Sequence, residues 1–241
     1  MSGTPAARAP SPGPLLVIVV PTLNAESRIV DTLAALRAGS DTGLVRDILV
    51  VDGGSRDATV ACAQHAGVRV ATAPRGRGGQ LAAGAAAVSG DWLLFVHADT
   101  TPGTGWADAV ARFVADPANK NRAGYFRFAL DDDSPSARRL ERRVAWRCRT
   151  FGLPYGDQGL LVSRVRYDAV GGYRPLPLME DVDLVRRLGR DAMVELPVAA
   201  VTAADRFRRD GYTWRSLRNL ACLALYFAGV PPRTIARLYG R

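Results

Sequence analysis

Short, mostly apolar segments alternate with helical patterns along the first half of this chain, and this alternation constrains the fold most. The apolar segments have the length of strands and lie at 15–20, 47–51, 68–71 and 92–96. The segments between them carry apolar residues at helical spacing, over 26–38, 57–66 and 80–88. Apolar strands that alternate with helices are typical of a parallel sheet covered on both faces. The sequence therefore predicts an α/β fold.

The second half of the chain is less regular. We predict strands over 123–130 and 159–163, and short strands within 193–203 that Pro197 interrupts. Helical patterns cover 136–149, 181–188, 214–227 and 231–239. We find no internal repeat or long linker, so we predict one domain over residues 14–241. Residues 1–13 are rich in proline, alanine and serine, and we expect a disordered tail there.

Composition narrows the possible partners. The formal charge of +9 indicates an anionic one: nucleic acid, a phosphorylated substrate or a membrane surface. The basic residues are scattered and are not interleaved with aromatic residues, so we expect no nucleic acid partner. The three cysteines are far apart, which predicts free thiols in a reducing compartment. Because residues 1–13 lack the apolar stretch of a signal peptide, we expect a cytoplasmic protein.

A polar loop follows the first predicted strand. Ligands bind at the carboxyl ends of strands in open α/β sheets, so this loop is a candidate binding segment. We expect Pro21 to end the strand ladder, and Thr22, Asn24 and Glu26 to offer polar groups to a ligand. Taken alone, the loop is explained more simply by Asn24 capping the next helix, with Glu26 in its first turn.

The loop after the second strand favours a ligand more strongly. Asp52 is fixed at the strand end, and Gly54 lets the backbone approach a ligand closely. Ser55 or Asp57 would cap the following helix, but capping leaves Asp52 and the paired glycines unexplained.

A loop rich in glycine and arginine follows the third strand and precedes a helix. Backbone N–H groups at a helix N-terminus suit phosphate, and Arg75 and Arg77 would add charge-assisted bonds beside Gly78 and Gln80. A tight turn explains the glycines equally well. At the end of the fourth strand, Asp99 is a hard oxygen ligand suited to Mg²⁺ or Mn²⁺. The alternative is a capping aspartate beside a core histidine, His97.

Together these segments resemble the family 2 glycosyltransferases, which are inverting enzymes of the GT-A fold that use nucleotide-sugar donors. The resemblance covers roughly residues 15–190, and its carriers are 21–26, 52–59, 97–99 and 180–184. It implies a Rossmann-like three-layer sandwich with a mostly parallel central sheet. It also implies a nucleotide-sugar-binding half over 14–115 and an acceptor-binding half, with C-terminal helices, over 116–241.

The resemblance further implies a role for each matching residue. Asp99 would hold Mg²⁺ or Mn²⁺, and Asp181 would be the catalytic base that deprotonates the acceptor, with Glu180 as the competing candidate. Asp157 and Gln158 would bind the acceptor. His97 stands where the family has the first acid of its Asp-X-Asp motif. The nucleotide sugar, most simply a UDP-sugar, would be bound by Pro21, Thr22, Asn24, Glu26, Asp52, Gly54, Ser55, Arg75, Gly78, Gln80, His97 and Ala98.

The C-terminal apolar segment over 217–230 has two interpretations. It is too short for a confident transmembrane helix, and a buried closing helix is the simpler one. The other is a helix that lies on an anionic membrane, at its inner face, near a lipid or carotenoid acceptor with a hydroxyl or carboxylate. Two rival functions are a sugar-1-phosphate nucleotidyltransferase and a non-catalytic nucleotide-sugar-binding protein. The first would carry a glycine- and lysine-rich loop after the first strand, where this chain has Pro21-Thr22-Leu23-Asn24.

Overall fold

A computed structural model describes residues 15–39 and 43–239 of the chain, so the predicted tail over 1–13 lies outside the described residues. The strands are β1 (Leu16–Thr22), β2 (Val45–Asp52), β3 (Arg69–Thr72), β4 (Trp92–Phe95), β5 (Thr100–Pro102), β6 (Ala123–Leu130), β7 (Leu160–Ser163) and β8 (Met193–Thr202). They form one sheet of eight strands in the order β3-β2-β1-β4-β7-β6-β8-β5. β3, β2, β1 and β4 are parallel, and β7 is antiparallel to both of its neighbours.

Helices cover both faces of the sheet. They are α1 (Glu26–Ala38), α2 (Thr59–His65), α3 (Arg77–Ala87), α4 (Trp106–Ala115), α5 (Pro135–Phe151), α6 (Arg164–Ala169), α7 (Glu180–Leu188), α8 (Asp205–Asp210), α9 (Tyr212–Phe227) and α10 (Pro232–Tyr239). The bounds of α1 and β6 are those predicted from the sequence.

Alternation along β1 separates two apolar cores. Ile18 and its even-numbered neighbours pack with α1 and α4, while Val17 and Val19 pack with α3, α6 and α7. Every apolar residue of β1 is fully buried. Because successive strand residues point to opposite faces, a wholly apolar strand needs a helical layer on each side. The predicted three-layer arrangement is thereby confirmed.

Pro21 does not end the first strand, contrary to the sequence prediction. It lies within β1 opposite Val51 of β2, and β1 continues to Thr22. On the other side, β4 pairs with β1 only as far as Val19. The nitrogen of Pro21 faces that side, so its missing N–H removes no bond from the ladder.

β8 is likewise one strand rather than several short ones. Its pairing with β6 shifts register at Pro197, because Leu196 lies opposite Phe126 whereas Ala199 lies opposite Arg127. A bulge therefore accommodates the proline without breaking the strand. The sequence reasoning missed β5, α4, α6 and α8. For α4 a signal existed, since its apolar residues recur at helical spacing and are buried.

Candidate active site at the carboxyl edge of the sheet

Three carboxylates that are far apart in the sequence line one cleft. Asp99 follows β4, Asp157 precedes β7, and Asp181 lies in the first turn of α7. Arg77 and His97 line the same cleft, whose outer wall is built by α8, α9 and α10. The cleft lies beyond the carboxyl end of β4, where an open α/β sheet is expected to bind its ligand.

Asp181 is held by backbone groups on both of its oxygens. The N–H of Gly156 donates to Oδ2 and the N–H of Val182 donates to Oδ1, each at 2.8 Å. A side chain at position 156 would place its Cβ 2.5 Å from Nε2 of His97, so only glycine lets this loop approach. The carboxylate is therefore fixed in direction while it faces the cleft, as a base acting on an incoming hydroxyl requires.

Glu180, the competing candidate base, lies in a different environment from Asp181. Its side chain is 0% exposed, and Nε of Arg77 donates to its Oε1. Oε2 is buried and has no hydrogen-bond partner among the described residues. Burial raises the pKa of Glu180, and the charge of Arg77 opposes that rise. A buried carboxylate paired with an arginine is less accessible than Asp181, so the structure favours Asp181, and the assignment of the base stays a prediction.

Arg77 is the second arginine of the glycine- and arginine-rich loop, and it lines the cleft. Burial alone would lower its pKa, but the charges of Glu180 and Asp181 outweigh burial and raise it. Its Nη1 lies 3.5 Å from Nε2 of His97. The cleft therefore contains a permanently charged guanidinium next to the candidate base.

Asp99 faces a second arginine across the cleft. Oδ2 of Asp99 lies 3.7 Å from Nη2 of Arg206, and the two side chains are 29% and 55% exposed. No local sequence pattern predicts this contact, because Arg206 belongs to α8. Among the described residues, no three histidine, cysteine, aspartate or glutamate side chains cluster as a metal site. One accessible carboxylate still fits Mg²⁺ or Mn²⁺, since Mg²⁺ takes one or two carboxylates and completes its shell with substrate phosphates and water.

Asp157 and Gln158, predicted together as acceptor ligands, differ in the structure. Asp157 lines the cleft, its Oδ1 is buried without a hydrogen-bond partner among the described residues, and burial raises its pKa to about 6. Gln158 is 1% exposed and donates to the carbonyl of Phe126, while its Oε1 accepts from Arg147. The amide of Gln158 thus holds the loop, and an acceptor contact by Gln158 stays a prediction without support from the geometry.

The loops after β1 and β2 are tied to each other by side chains. Oδ1 of Asn24 accepts from the N–H of Arg56 at 2.9 Å, and Oγ of Ser55 accepts from the N–H of Asn24 at 2.8 Å. Oε2 of Glu26 accepts from the N–H of Ala58 at 3.1 Å. The cap of α1 is Ala25, so the capping interpretation of Asn24 is wrong. The hydroxyl of Ser55 is bonded within the protein, and its predicted ligand contact stays a prediction.

Asp52 organises its own loop. Its Oδ2 accepts from the N–H groups of Gly54 and Ser55, both at 2.9 Å, and its Oδ1 accepts from the hydroxyl of Ser55 at 2.5 Å. These bonds use three of the roughly four acceptor positions of a carboxylate. Gly54 has a φ of +90° and is exposed. A contact between this loop and a nucleoside stays a prediction, as does one with Thr22, whose hydroxyl is buried without a partner among the described residues.

Two other predicted ligands of the nucleotide sugar are structural. Gln80 is 4% exposed, and its Nε2 donates to the carbonyls of Thr22 and Val51 at 2.8 Å. Gly78 is buried inside α3, where a Cβ would clash with the carbonyl of Arg174. Both positions serve packing between α3 and its neighbours, and their predicted ligand contacts stay predictions without support from the geometry.

The other residues predicted to contact the nucleotide sugar differ in their exposure. Pro21 and Ala98 are buried, and the carbonyl of Ala98 accepts from Oγ1 of Thr32 at 3.0 Å. Arg75 is exposed at the edge of the same loop as Arg77. His97 lines the cleft.

A sequence profile and several solved structures are similar to this chain. The sequence profile described as Glycosyl transferase family 2 matches residues 17–169, more than half of the chain. The chain belongs to glycosyl transferase family 2. The match includes Asp52, Asp99 and Asp157 and ends before α7, so the position of Asp181 is given by the structure. The resemblance predicted from the motifs is confirmed.

Solved structures show the same fold. A glucosyl-3-phosphoglycerate synthase from Mycobacterium tuberculosis, in complex with Mn²⁺, UDP and glucosyl-3-phosphoglycerate, matches with a TM-score of 0.62 and 22% identity over 91% of this chain and 81% of that one. A mannosyltransferase from Pyrobaculum calidifontis, in complex with GDP-Man and Mn²⁺, matches with a TM-score of 0.61 and 18% identity over 92% of this chain and 64% of that one. These likenesses confirm the predicted GT-A-type sandwich. A search of curated proteins found no match.

Proposed function

We propose that this family member transfers a sugar from a nucleoside diphosphate sugar to an acceptor hydroxyl, with inversion at the anomeric carbon. The observation that carries the proposal is the Asp181 carboxylate, which two backbone N–H groups aim into a cleft shared with Asp99 and Arg77. Family membership and the solved complexes with UDP and GDP-Man support a nucleotide-sugar donor.

Asp181 acts as the general base. As the acceptor oxygen attacks the anomeric carbon, its proton passes to Asp181, and the bond between that carbon and the diphosphate oxygen breaks on the opposite side. Direct displacement by one base inverts the configuration. The electron pair of the broken bond stays on the diphosphate, so the leaving group gains negative charge next to Arg77.

Asp99 would hold Mg²⁺ or Mn²⁺ together with the diphosphate oxygens. Such an ion supplies charge stabilisation for the departing diphosphate. The solved relatives with Mn²⁺ and nucleotide support this assignment. Arg75, which is exposed beside the helix N-terminus of α3, would contact the same diphosphate.

The loops around Thr22, Asn24 and Asp52 would hold the nucleoside, and a UDP-sugar is our preferred donor. Asp157, which lines the cleft, would bind a hydroxyl of the acceptor. In one solved relative the acceptor product is glucosyl-3-phosphoglycerate; for this chain we propose an apolar lipid or carotenoid acceptor. The free thiols of Cys62, Cys148 and Cys222 agree with a cytoplasmic location.

A donor panel tests the proposal. UDP-glucose, GDP-mannose and dTDP-glucose are each incubated with the protein and Mn²⁺, and release of the nucleoside diphosphate is measured in parallel with the thermal shift. We expect one donor to raise the Tm and to be hydrolysed slowly, with water in place of the acceptor. Asp181→Asn should keep the thermal shift and lower hydrolysis by about 100-fold or more.

The matched control is Asp168→Asn, which makes the same change at an exposed aspartate outside the cleft. It should behave as the unmodified protein does. A thermal shift with no diphosphate release from any donor would indicate a non-catalytic nucleotide-sugar-binding protein. Release of pyrophosphate from a nucleoside triphosphate and a sugar phosphate would indicate a nucleotidyltransferase.

A further inference from the structure

One face of α9 exposes a row of large apolar side chains. Trp214, Leu217, Leu220 and Phe227 are 65%, 54%, 60% and 49% exposed, and their spacing places them on the same side of the helix. We call these four residues the α9 stripe. Leu238 of α10 is 68% exposed. Large exposed apolar side chains concentrated on one short segment mark an interaction surface.

The opposite face of α9 packs against the rest of the protein. Cys222 packs against Leu178 and against Ile235 of α10, and Arg215 and Asn219 line the cleft. The helix is thus fixed to the site by one side while the stripe faces outward. Among the described residues no helix has the length and apolar character needed to cross a bilayer.

The charges around the stripe identify the partner. Residues 211–239 contain four arginines and no aspartate or glutamate; Arg215 and Arg218 pair with Asp210, which leaves the two arginines of α10. Arg233 and Arg237 are exposed on α10, and the guanidinium of Arg186 lies 4.7 Å from the ring centre of Phe227. An amphipathic helix with a tryptophan, leucines and basic neighbours fits an anionic lipid surface. A second copy of this chain would instead bring the same arginines against each other.

We propose that the α9 stripe binds peripherally to the surface of an anionic lipid bilayer. The apolar side chains enter the headgroup region, and the arginines of α10 contact the lipid phosphates. Because the other face of α9 lines the cleft, this orientation places the cleft beside the bilayer. The consequence for the reaction, that the acceptor is drawn from the membrane, rests on the proposed function; the binding itself does not.

Vesicle co-sedimentation of the full chain tests the proposal without any donor or acceptor. The probes are vesicles of phosphatidylcholine alone and of phosphatidylcholine with 30% phosphatidylglycerol. We expect the protein to bind the anionic vesicles, and Leu217→Glu/Leu220→Glu to weaken that binding about tenfold or more. Both leucines are exposed, so the variant should keep its Tm.

The charge-matched control is Val30→Glu/Val165→Glu. Those valines are 51% and 65% exposed, and lie on α1 and α6, away from the stripe. This variant has the same net charge as the stripe variant and should bind within about twofold of the unmodified protein. Equal losses in both variants would show that only net charge is sensed, and would overturn the proposal.

Two further outcomes also contradict it. One is an absence of vesicle binding, and the other is a dimer in analytical ultracentrifugation that the stripe variant dissociates. Asp181→Asn should bind vesicles normally, so a failed transferase proposal and a failed membrane proposal give different results.

Discussion

The buried pair of Arg77 and Glu180 gives a prediction whose size follows from the structure. Arg77→Met removes the guanidinium and leaves a fully buried carboxylate whose second oxygen already has no partner among the described residues. Removing one member of a buried ion pair costs about 3–5 kcal/mol of folding stability. In a protein of this size, each kcal/mol corresponds to about 2–4 °C, so we expect the Tm to fall by roughly 6–20 °C.

The pH dependence of the loss has a definite sign. Burial raises the pKa of Glu180, and Arg77 opposes this effect, so the variant has a still higher pKa. A carboxyl group whose pKa is raised in the folded protein holds a proton that the unfolded chain releases, and stability then falls as the pH rises. The deficit of Arg77→Met should therefore be smaller at pH 5 than at pH 8, as measured by thermal unfolding followed by circular dichroism.

A double variant separates stability from activity. Arg77→Met/Glu180→Leu replaces the pair by apolar side chains, a change that is often neutral or stabilising. We expect most of the lost stability to return but the transferase activity to stay low, because Arg77 also lines the cleft. A double variant no more stable than Arg77→Met alone would refute the reasoning, as would a loss below about 1 kcal/mol in the single variant.

Two other side chains of the cleft allow predictions. The pKa of Asp157, raised by burial to about 6, means that the folded protein loses stability between about pH 4 and pH 6 as this group ionises. Asp157→Asn should therefore be more stable than the unmodified protein at pH 8, by on the order of 3 kcal/mol, and equal to it at pH 4. Urea unfolding measures the difference, and a difference that does not depend on pH would contradict this prediction. Arg206→Gln removes the guanidinium 3.7 Å from Asp99 and should tighten Mn²⁺ binding about two- to fivefold in isothermal titration with the metal alone. Asp99→Asn serves as the control that should lose Mn²⁺ binding, and weaker binding by Arg206→Gln would argue against competition at Asp99.

Sequence patterns predicted the framework because the framework depends on local periodicity. The bounds of α1 and β6 follow from apolar spacing, and the wholly apolar β1 already requires two helical layers. The position of Asp99 at the carboxyl edge follows in the same way, since it comes just after a parallel strand of the sheet. Contacts such as Arg206 with Asp99 join elements that are distant in the sequence, and no periodicity signals them.

The internal bonds of Gln80 and Gln158 could not be predicted from the sequence, for one common reason. An amide after a glycine-containing loop has the same sequence whether it bonds a ligand or the carbonyls of its own backbone, and only the fold distinguishes the two. For Glu180 a signal was available. It is in helical phase with Leu184 and Leu188, which are both buried, whereas Asp181 is turned by about 100° from that face.

The ties between the loops after β1 and β2 imply that different parts of the carboxyl edge of the sheet differ in stiffness. Hydrogen bonds from side chains of each loop to the backbone of the other join the loops after β1 and β2 into one unit. By contrast, α8, which lines the cleft, is held by ion pairs of the partly exposed residues Arg206 and Arg208. We therefore expect the donor-binding loops to be preformed and α8 to be adjustable. The donor should then bind first, and α8 should become ordered only when the acceptor binds.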